Sequence, residues 1–376
     1  MKLKVMKKFE INCLSVICGI LLLTGSGLAY ETNDKLSIGG IIAGEWQYQS
    51  IRDAPGFDSE GRCAVAFQPE IDFTPTESDE LFAKFGFGAG NGLAGGKSPF
   101  MLATWAADVQ DDYKDINGRN RDYLLTAWYK HTFEFSEDHT LGLTGGIIDA
   151  CDYMDENAFA NDEFSQFMNE ALVNSPNAFL PSYDIGGAIE WEIGGFSVKG
   201  VAMAMGTNDE EPAEPYNFYG IQFGYNVDFG MGEGNYRLIL DTTSDDFSNV
   251  AGTKMERMSA VLISFDQQLG DILGLWLRFG WQDDDPAILY KDIYTGGVNI
   301  SGNLWGRDQD NIGIGFGHLR GGNLEIDKTD VFEVYGRFSL TDIFAITGDL
   351  QYMKDSYKVG ESPSGWIFGL RATAEF

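Results

Sequence analysis

From Trp366 to Phe376 the side chains of "WIFGLRATAEF" alternate without a break. Trp366, Phe368, Leu370, Ala372, Ala374 and Phe376 fall on one side, and Gly369, Arg371, Thr373 and Glu375 on the other. Successive residues of a strand point to opposite faces, so this segment needs one apolar surrounding and one polar one. "VFEVYGRFSL" repeats the pattern, with Phe332, Val334, Phe338 and Leu340 against Glu333, Tyr335, Arg337 and Ser339. "LGLWLRFGWQ" sets Leu275, Leu277, Phe279 and Trp281 against Trp276, Arg278 and Gln282. In "YLLTAWYKHTFEF", Tyr123, Leu125, Tyr129, Phe133 and Phe135 oppose Thr126, Trp128, Lys130, Thr132 and Glu134. In "NFYGIQFGYNVDFG", Tyr219, Ile221, Phe223, Tyr225 and Val227 oppose Gln222, Asn226 and Asp228. Charges and amides keep to one face, which a packed core would not accept and a water-filled lumen does.

About sixteen such segments are legible, near residues 35–48, 63–74, 80–91, 122–136, 139–148, 184–194, 196–206 and 216–230 in the first part. The rest fall near 234–242, 257–267, 273–283, 293–304, 310–320, 331–340, 344–353 and 364–376. An even number of antiparallel strands closes on itself, and in lipid only a closed sheet satisfies its own backbone. The expected fold is all-β, a transmembrane antiparallel barrel of about 16 strands forming one domain over residues 30–376. Connections alternate between tight turns such as "EIGGF" and longer loops. Two are long. One, from Gly92 to Asp122, offers Ser98 as a helix N-cap with Pro99 behind it. The other, residues 149–184, is acidic, Asn-rich, punctuated by Phe and helix-like in its middle.

Lys2, Lys4, Lys7 and Lys8 precede a short apolar run from Cys13 to Leu23 and the small residues Gly27-Leu28-Ala29. That is the pattern of a secretory signal, residues 1–29, and the run is too short to span a bilayer. Without it the chain keeps 22 basic and 56 acidic side chains, a net charge near −34. So acidic a balance argues against a nucleic-acid partner. Cys63 and Cys151 then remain; in an oxidising compartment they could pair, or stay two thiols. Gly90, Gly92 and Gly95 match GxGxxG, but no parallel βαβ unit follows to make a dinucleotide site, and no cofactor is expected. Residues 149–163 lack the spacing of a calcium loop, so no metal ligands are assigned. His131, His139 and His318 assemble no nucleophile–base–acid set, so no enzymatic activity is expected.

The segment "GIIDACDYMDENAFANDEFSQFMNEALVNSPNAFLPSYDIGGAIEW" resembles the carbohydrate-selective outer-membrane porins of the OprB type. There a Gly-rich strand end with Asp is followed by D-x-x-D-x-N-x-F and a helical loop closing on Pro. "GLWLRFGWQ", "GGVNISGNLWGRDQDNIGIGFG" and "FEVYGRFSLTDIFAITGDLQY" resemble that family too. The resemblance implies that the two long external loops carry short helices and fold into the lumen, and that small saccharides diffuse passively to the periplasm. It also implies residence in the outer membrane of a Gram-negative bacterium, among lipid and lipopolysaccharide. Phe376 at a strand end is similar to the signature read by the barrel-assembly machinery, while a homotrimer and a monomer both stay open.

A constriction loop built this way would carry Asp152, Asp155, Asn157, Phe159, Asn161 and Phe167. Phe159, Phe164, Phe167, Met168 and Leu172 would anchor it, with Asp155, Asn157, Asn161 and Asp162 facing water. Sugar passage needs donors and acceptors for hydroxyls and flat rings for the apolar face of the pyranose. On lumen parity, Arg237, Arg278, Arg337 and Arg371 stand among Glu333, Asp349, Glu375 and Asp241, with Trp128, Trp276 and Tyr335 as stacking surfaces, and Trp105 in the first long loop. The acidic balance keeps a general or cation-preferring porin as the alternative.

Overall fold

A computed structural model describes residues 35–208 and 213–376; the expected signal segment lies outside the described residues. The alternating segments form sixteen barrel strands. The first eight are β1 (Leu36–Arg52), β2 (Gly61–Thr76), β3 (Asp79–Phe85 and Phe87–Ala89), β4 (Leu124–Ser136), β5 (His139–Ile148), β6 (Asp184–Ile193), β7 (Phe196–Met205) and β8 (Tyr216–Asp228). The rest are β9 (Glu233–Thr243), β10 (Ser259–Leu269), β11 (Leu273–Gln282), β12 (Tyr290–Ser301), β13 (Asn311–Gly321), β14 (Ile326–Ser339), β15 (Phe344–Tyr357) and β16 (Ser364–Glu375). Each pairs antiparallel with its sequence neighbours, and β1 also pairs with β16, Ile41 opposite Glu375 and Arg52 opposite Ser364. The sheet therefore has no free edge. At the seam the Gly40 N–H donates to the Phe376 carbonyl at 2.9 Å, and the Phe376 N–H donates back to Gly40 at 3.0 Å.

The faces follow the alternation. Leu275, Leu277, Trp281, Phe338, Trp366, Phe368 and Leu370 are exposed on the outer surface, while Trp276, Arg278, Glu333, Tyr335 and Arg371 are buried inside. Leu125 departs from the expected outward set. The register between β3 and β4 slips one residue there, and the slip turns Leu125 inward against Tyr113 and Ile116.

At one end of the barrel the connections are mostly tight turns, as at 77–78, 137–138 and 194–195; at the other lie the two long loops, L2 (90–123) and L3 (149–183). Both fold into the barrel. Leu93, Phe100 and Leu102 of L2 share one core with Phe167, Ala171 and Leu172 of L3 and with wall residues Trp276, Leu319, Tyr335 and Met353. The expected helices shrink to fragments. L2 holds only the 3-10 turn Ile116–Gly118, and no helix starts at Ser98; L3 holds the 3-10 turn Ala150–Asp152 and one turn of helix, α1 (Glu170–Val173), capped by the Asn169 side chain. Asp and Asn side chains take the backbone donors that a helix would use: Asp162 accepts from the Phe164 and Ser165 N–H groups, and Asn157 from that of Phe159.

Candidate functional site

The glycine content of β11–β13 makes room for L3. A Cβ at Gly274 would overlap the Phe159 ring, one at Gly313 the Tyr335 ring, and one at Gly315 would press on Phe167 and Leu172. Phe167 sits in the resulting hollow, edge-on to Trp276 at 5.4 Å and to Tyr335 at 5.0 Å. Substituting Gly313 with valine should push Tyr335 into Phe167, an overpacking of about 1–3 kcal/mol. The expected readout is a lower temperature for loss of the heat-modifiable gel band, with no change for Val at the open outer position Gly348.

Polar groups fix the loop more specifically. Arg278 reaches Asp155 at 2.7 Å and donates to the carbonyls of Leu172, at 3.0 Å, and Ala160. Arg371 donates to the carbonyls of Glu163 and Gln166, at 2.5 and 2.9 Å. The Glu333 carboxylate accepts from the Met168 and Asn169 N–H groups at 2.6 and 3.0 Å. Gln351 takes a hydrogen bond from Asn169 and gives one to the Thr104 carbonyl of L2, joining both loops to β15. Asp349 accepts from Gln351 in the same network. Trp105, expected from its place in the first long loop to offer a sugar platform, is instead buried; its indole donates to the Glu163 carbonyl at 3.0 Å and its ring meets Phe164 edge-on.

The structure therefore redistributes the expected site. Arg278, Arg371, Glu333, Asp349, Trp276 and Tyr335 do face inward, but they lie beneath L3 and hold it, leaving no surface for solute. Asp155 and Asn157, expected in water, are buried, Asp155 by its arginine and Asn157 by donating to Ser264 and Phe265 at 3.4 Å. Asp241 is buried as well. Arg237 pairs with Asp266 at 2.6 Å and lines a cavity of about 330 Å³ on the turn side of L3. Arg337 lines another, of about 230 Å³, and pairs at 3.5 Å with Glu375 at the turn end. Trp128 stacks on Phe82 at 5.1 Å. Cys63 and Cys151 are not joined, and Cys151 carries a free thiol. Cys63 lies opposite Trp46 on the outward parity of β2, whereas Cys151 belongs to the 3-10 turn of L3 inside the wall.

A further cleft, of about 280 Å³, opens between L2, L3 and strands β1–β3. Its lining includes Glu70, Asp108, Asp149, Asp152, Asp162 and Glu163, with Lys84 the one cation among the described residues. Gln68, Asn161, Asn174, Ser182, Tyr183 and Phe164 complete the polar and aromatic surface. Lys84 approaches Glu70 at 3.4 Å, and Tyr183 donates its hydroxyl to Asp108 at 2.7 Å. Burial pushes Asp108 up to about 6 and Glu163 up to about 8. Asp149 and Asp152 are raised as well, by burial and, for Asp152, by the Asp149 charge next to it. Sequence parity missed this cleft because all of its acids except Glu70 come from loops. Of its lining, Cys151, Asp152, Asn161, Asp162 and Phe164 were among the residues the sequence singled out.

A closed sixteen-stranded barrel with an apolar exterior and a lumen narrowed by clamped loops defines a porin, a channel across a membrane. Residues 81–376 match the carbohydrate-selective porin, OprB family, and the chain belongs to that family. A protein of Aquifex aeolicus (strain VF5), described as uncharacterized, is 30% identical over 272 residues, which is 72% of this chain and 74% of that one. Among solved structures, the high pH structure of Pseudomonas putida OprB superposes with a TM-score of 0.72 at 15% identity, covering 91% of this chain and 94% of that one. The outer membrane channel DcaP of Acinetobacter baumannii gives 0.57 at 10% identity, covering 94% and 100%.

Proposed function

We propose that this porin sits in the outer membrane of a Gram-negative bacterium, long loops outward, and lets small saccharides diffuse through the cleft between L2 and L3 to the periplasm. The observation that carries the reading is the lining of that cleft: carboxylates, amides and hydroxyls converge there beside the Phe164 and Tyr183 rings. Such a surface replaces the hydration of sugar hydroxyls through many weak contacts, which lets the solute leave again. Membership of a family described as carbohydrate-selective supports it. On this reading residues 1–29 direct export and are removed, and Phe376 is the residue the assembly machinery engages.

A second reading rests on charge. Six carboxylates against Lys84 make a field that favours cations, so a cation-preferring channel is the competing function. Planar-bilayer recording separates the two. Reduction of conductance by glucose or maltose, saturating with concentration, is the expected result for saccharide passage. Strong cation selectivity with no effect of sugar would replace that reading with the second.

A further inference from the structure

The outer surface carries a basic patch that the channel reading does not use. Within the paired strands most cations, such as Lys84, Lys130, Arg278 and Arg371, follow the lumen parity. Arg52, Arg320, Lys328 and Lys354 follow the outward parity instead, and all four lie in one sector, β13 to β16 and β1, at the long-loop end. The register places them in two adjacent rows. Asp292, Arg320 and Lys328 stand side by side in the upper row. In the next, His318, Asp330, Lys354, Ser364 and Arg52 follow one another across five strands. One residue pair lower, Phe316, Phe332, Tyr352 and Trp366 form an unbroken aromatic row, with Tyr352 and Trp366 at 5.0 Å.

Two carboxylates are part of the patch, and both are engaged. Asp292 pairs with Arg320 at 2.7 Å, and Asp330 with His318 at 2.6 Å and Lys328 at 3.3 Å. Lys354 and Arg52 are exposed and have no carboxylate partner among the described residues. A solvated face would give its cations acid neighbours easily in a chain of net charge −31. Lipid-facing charge is costly at mid-bilayer and tolerated near the interface, which is where these rows fall relative to the apolar band. Cations directly above an aromatic row match a ligand with anionic phosphates on top and acyl chains below.

We infer that Arg52, Arg320, Lys328 and Lys354 bind the phosphates of an anionic, acylated lipid of the outer leaflet, whose chains lie along Phe316, Phe332, Tyr352 and Trp366. The inference rests on the proposed orientation with the long loops outward, and its test does not involve conduction. Diphosphoryl lipid A is added to the detergent-purified protein, and retained adducts are counted by native mass spectrometry. A one-to-one adduct favoured over phosphatidylcholine and not displaced by millimolar inorganic phosphate is expected. Each exposed cation at an anionic lipid surface is worth about fivefold in affinity, so Lys354→Gln should weaken retention about fivefold and the Lys354→Gln, Arg52→Gln pair about 25-fold. The inward Arg337→Gln control should retain the lipid fully, and heat-modifiable mobility shows whether each variant is folded. Equal retention by a folded double variant, equal retention of phosphatidylcholine, or full displacement by free phosphate would overturn the inference. The first or second result leaves the bilayer evidence on saccharide passage untouched, so the two proposals fail separately.

Discussion

Arg278→Ala should convert a narrow channel into a wide one. The substitution removes the partner of a buried carboxylate, Asp155, and the donors to the carbonyls of Leu172 and Ala160. Breaking a buried pair from one side costs about 3–5 kcal/mol. The wall is a continuous ladder of strand hydrogen bonds and survives, so the loss falls on the attachment of L3. In single-channel recording the expected result is a marked rise in conductance, greater current noise and loss of any block by sugar. Arg278→Lys should fall between, since an ammonium replaces the charge but not the fork that reaches two carbonyls and a carboxylate. Unchanged conductance in a folded Arg278→Ala protein would mean that L3 is held without this arginine.

The second large effect is on ion selectivity as a function of pH. Four loop carboxyls at the cleft, Asp108, Asp149, Asp152 and Glu163, have folded-state values raised above those of free carboxyls, Asp108 to about 6 and Glu163 to about 8. At pH 8.5 these four are mostly ionised and outnumber Lys84; at pH 5 they are mostly protonated while the lysine keeps its charge. The cation-to-anion permeability ratio, read from the reversal potential in a KCl gradient, should therefore fall steeply between pH 8 and pH 5. Asp152→Asn should lower the ratio at pH 8 and flatten the curve. The sign for stability is the same. A raised carboxyl contributes stability that is complete below the unfolded value near 4 and is lost as pH rises through the folded value. L3 should thus resist thermal release better at pH 5 than at pH 8.5. A selectivity that does not change across this range would show that the current avoids the cleft.

The wall was readable because a period of two survives in one sequence. Phe332, Val334 and Phe338 declare their face without help from any neighbour. Leu125 escaped because a one-residue slip against β3 reverses parity, and nothing in "YLLTAW" marks the slip. The inward direction of Arg278, Arg371 and Glu333 was legible; their occupation was not, since parity says which side a group faces and not what already fills that side. One signal was available. "IGIGFG" places Gly313, Gly315 and Gly317 in succession on the inner face of β13, and a wall that gives up its side chains in a row is leaving space for something else. The cleft was the hardest to foresee. Asp108, Asp149 and Glu163 come from two loops 40 to 55 residues apart in sequence, and only the docking of both loops brings them together.

The clamps on L3 also dictate an order of events. The loop lies in the first half of the chain, yet Glu333 holds it across 165 residues and Arg371 across 208. Every residue of the loop is therefore made long before its last anchor exists. Contacts so distant in sequence form late, because the intervening chain must first be brought into place. While β16 is missing, the loop lacks its Arg371 anchor and the barrel has two bare edges. Delivery of the final strand closes the wall and supplies Arg371 in the same movement, so a finished cylinder always has the last clamp of its filter in place.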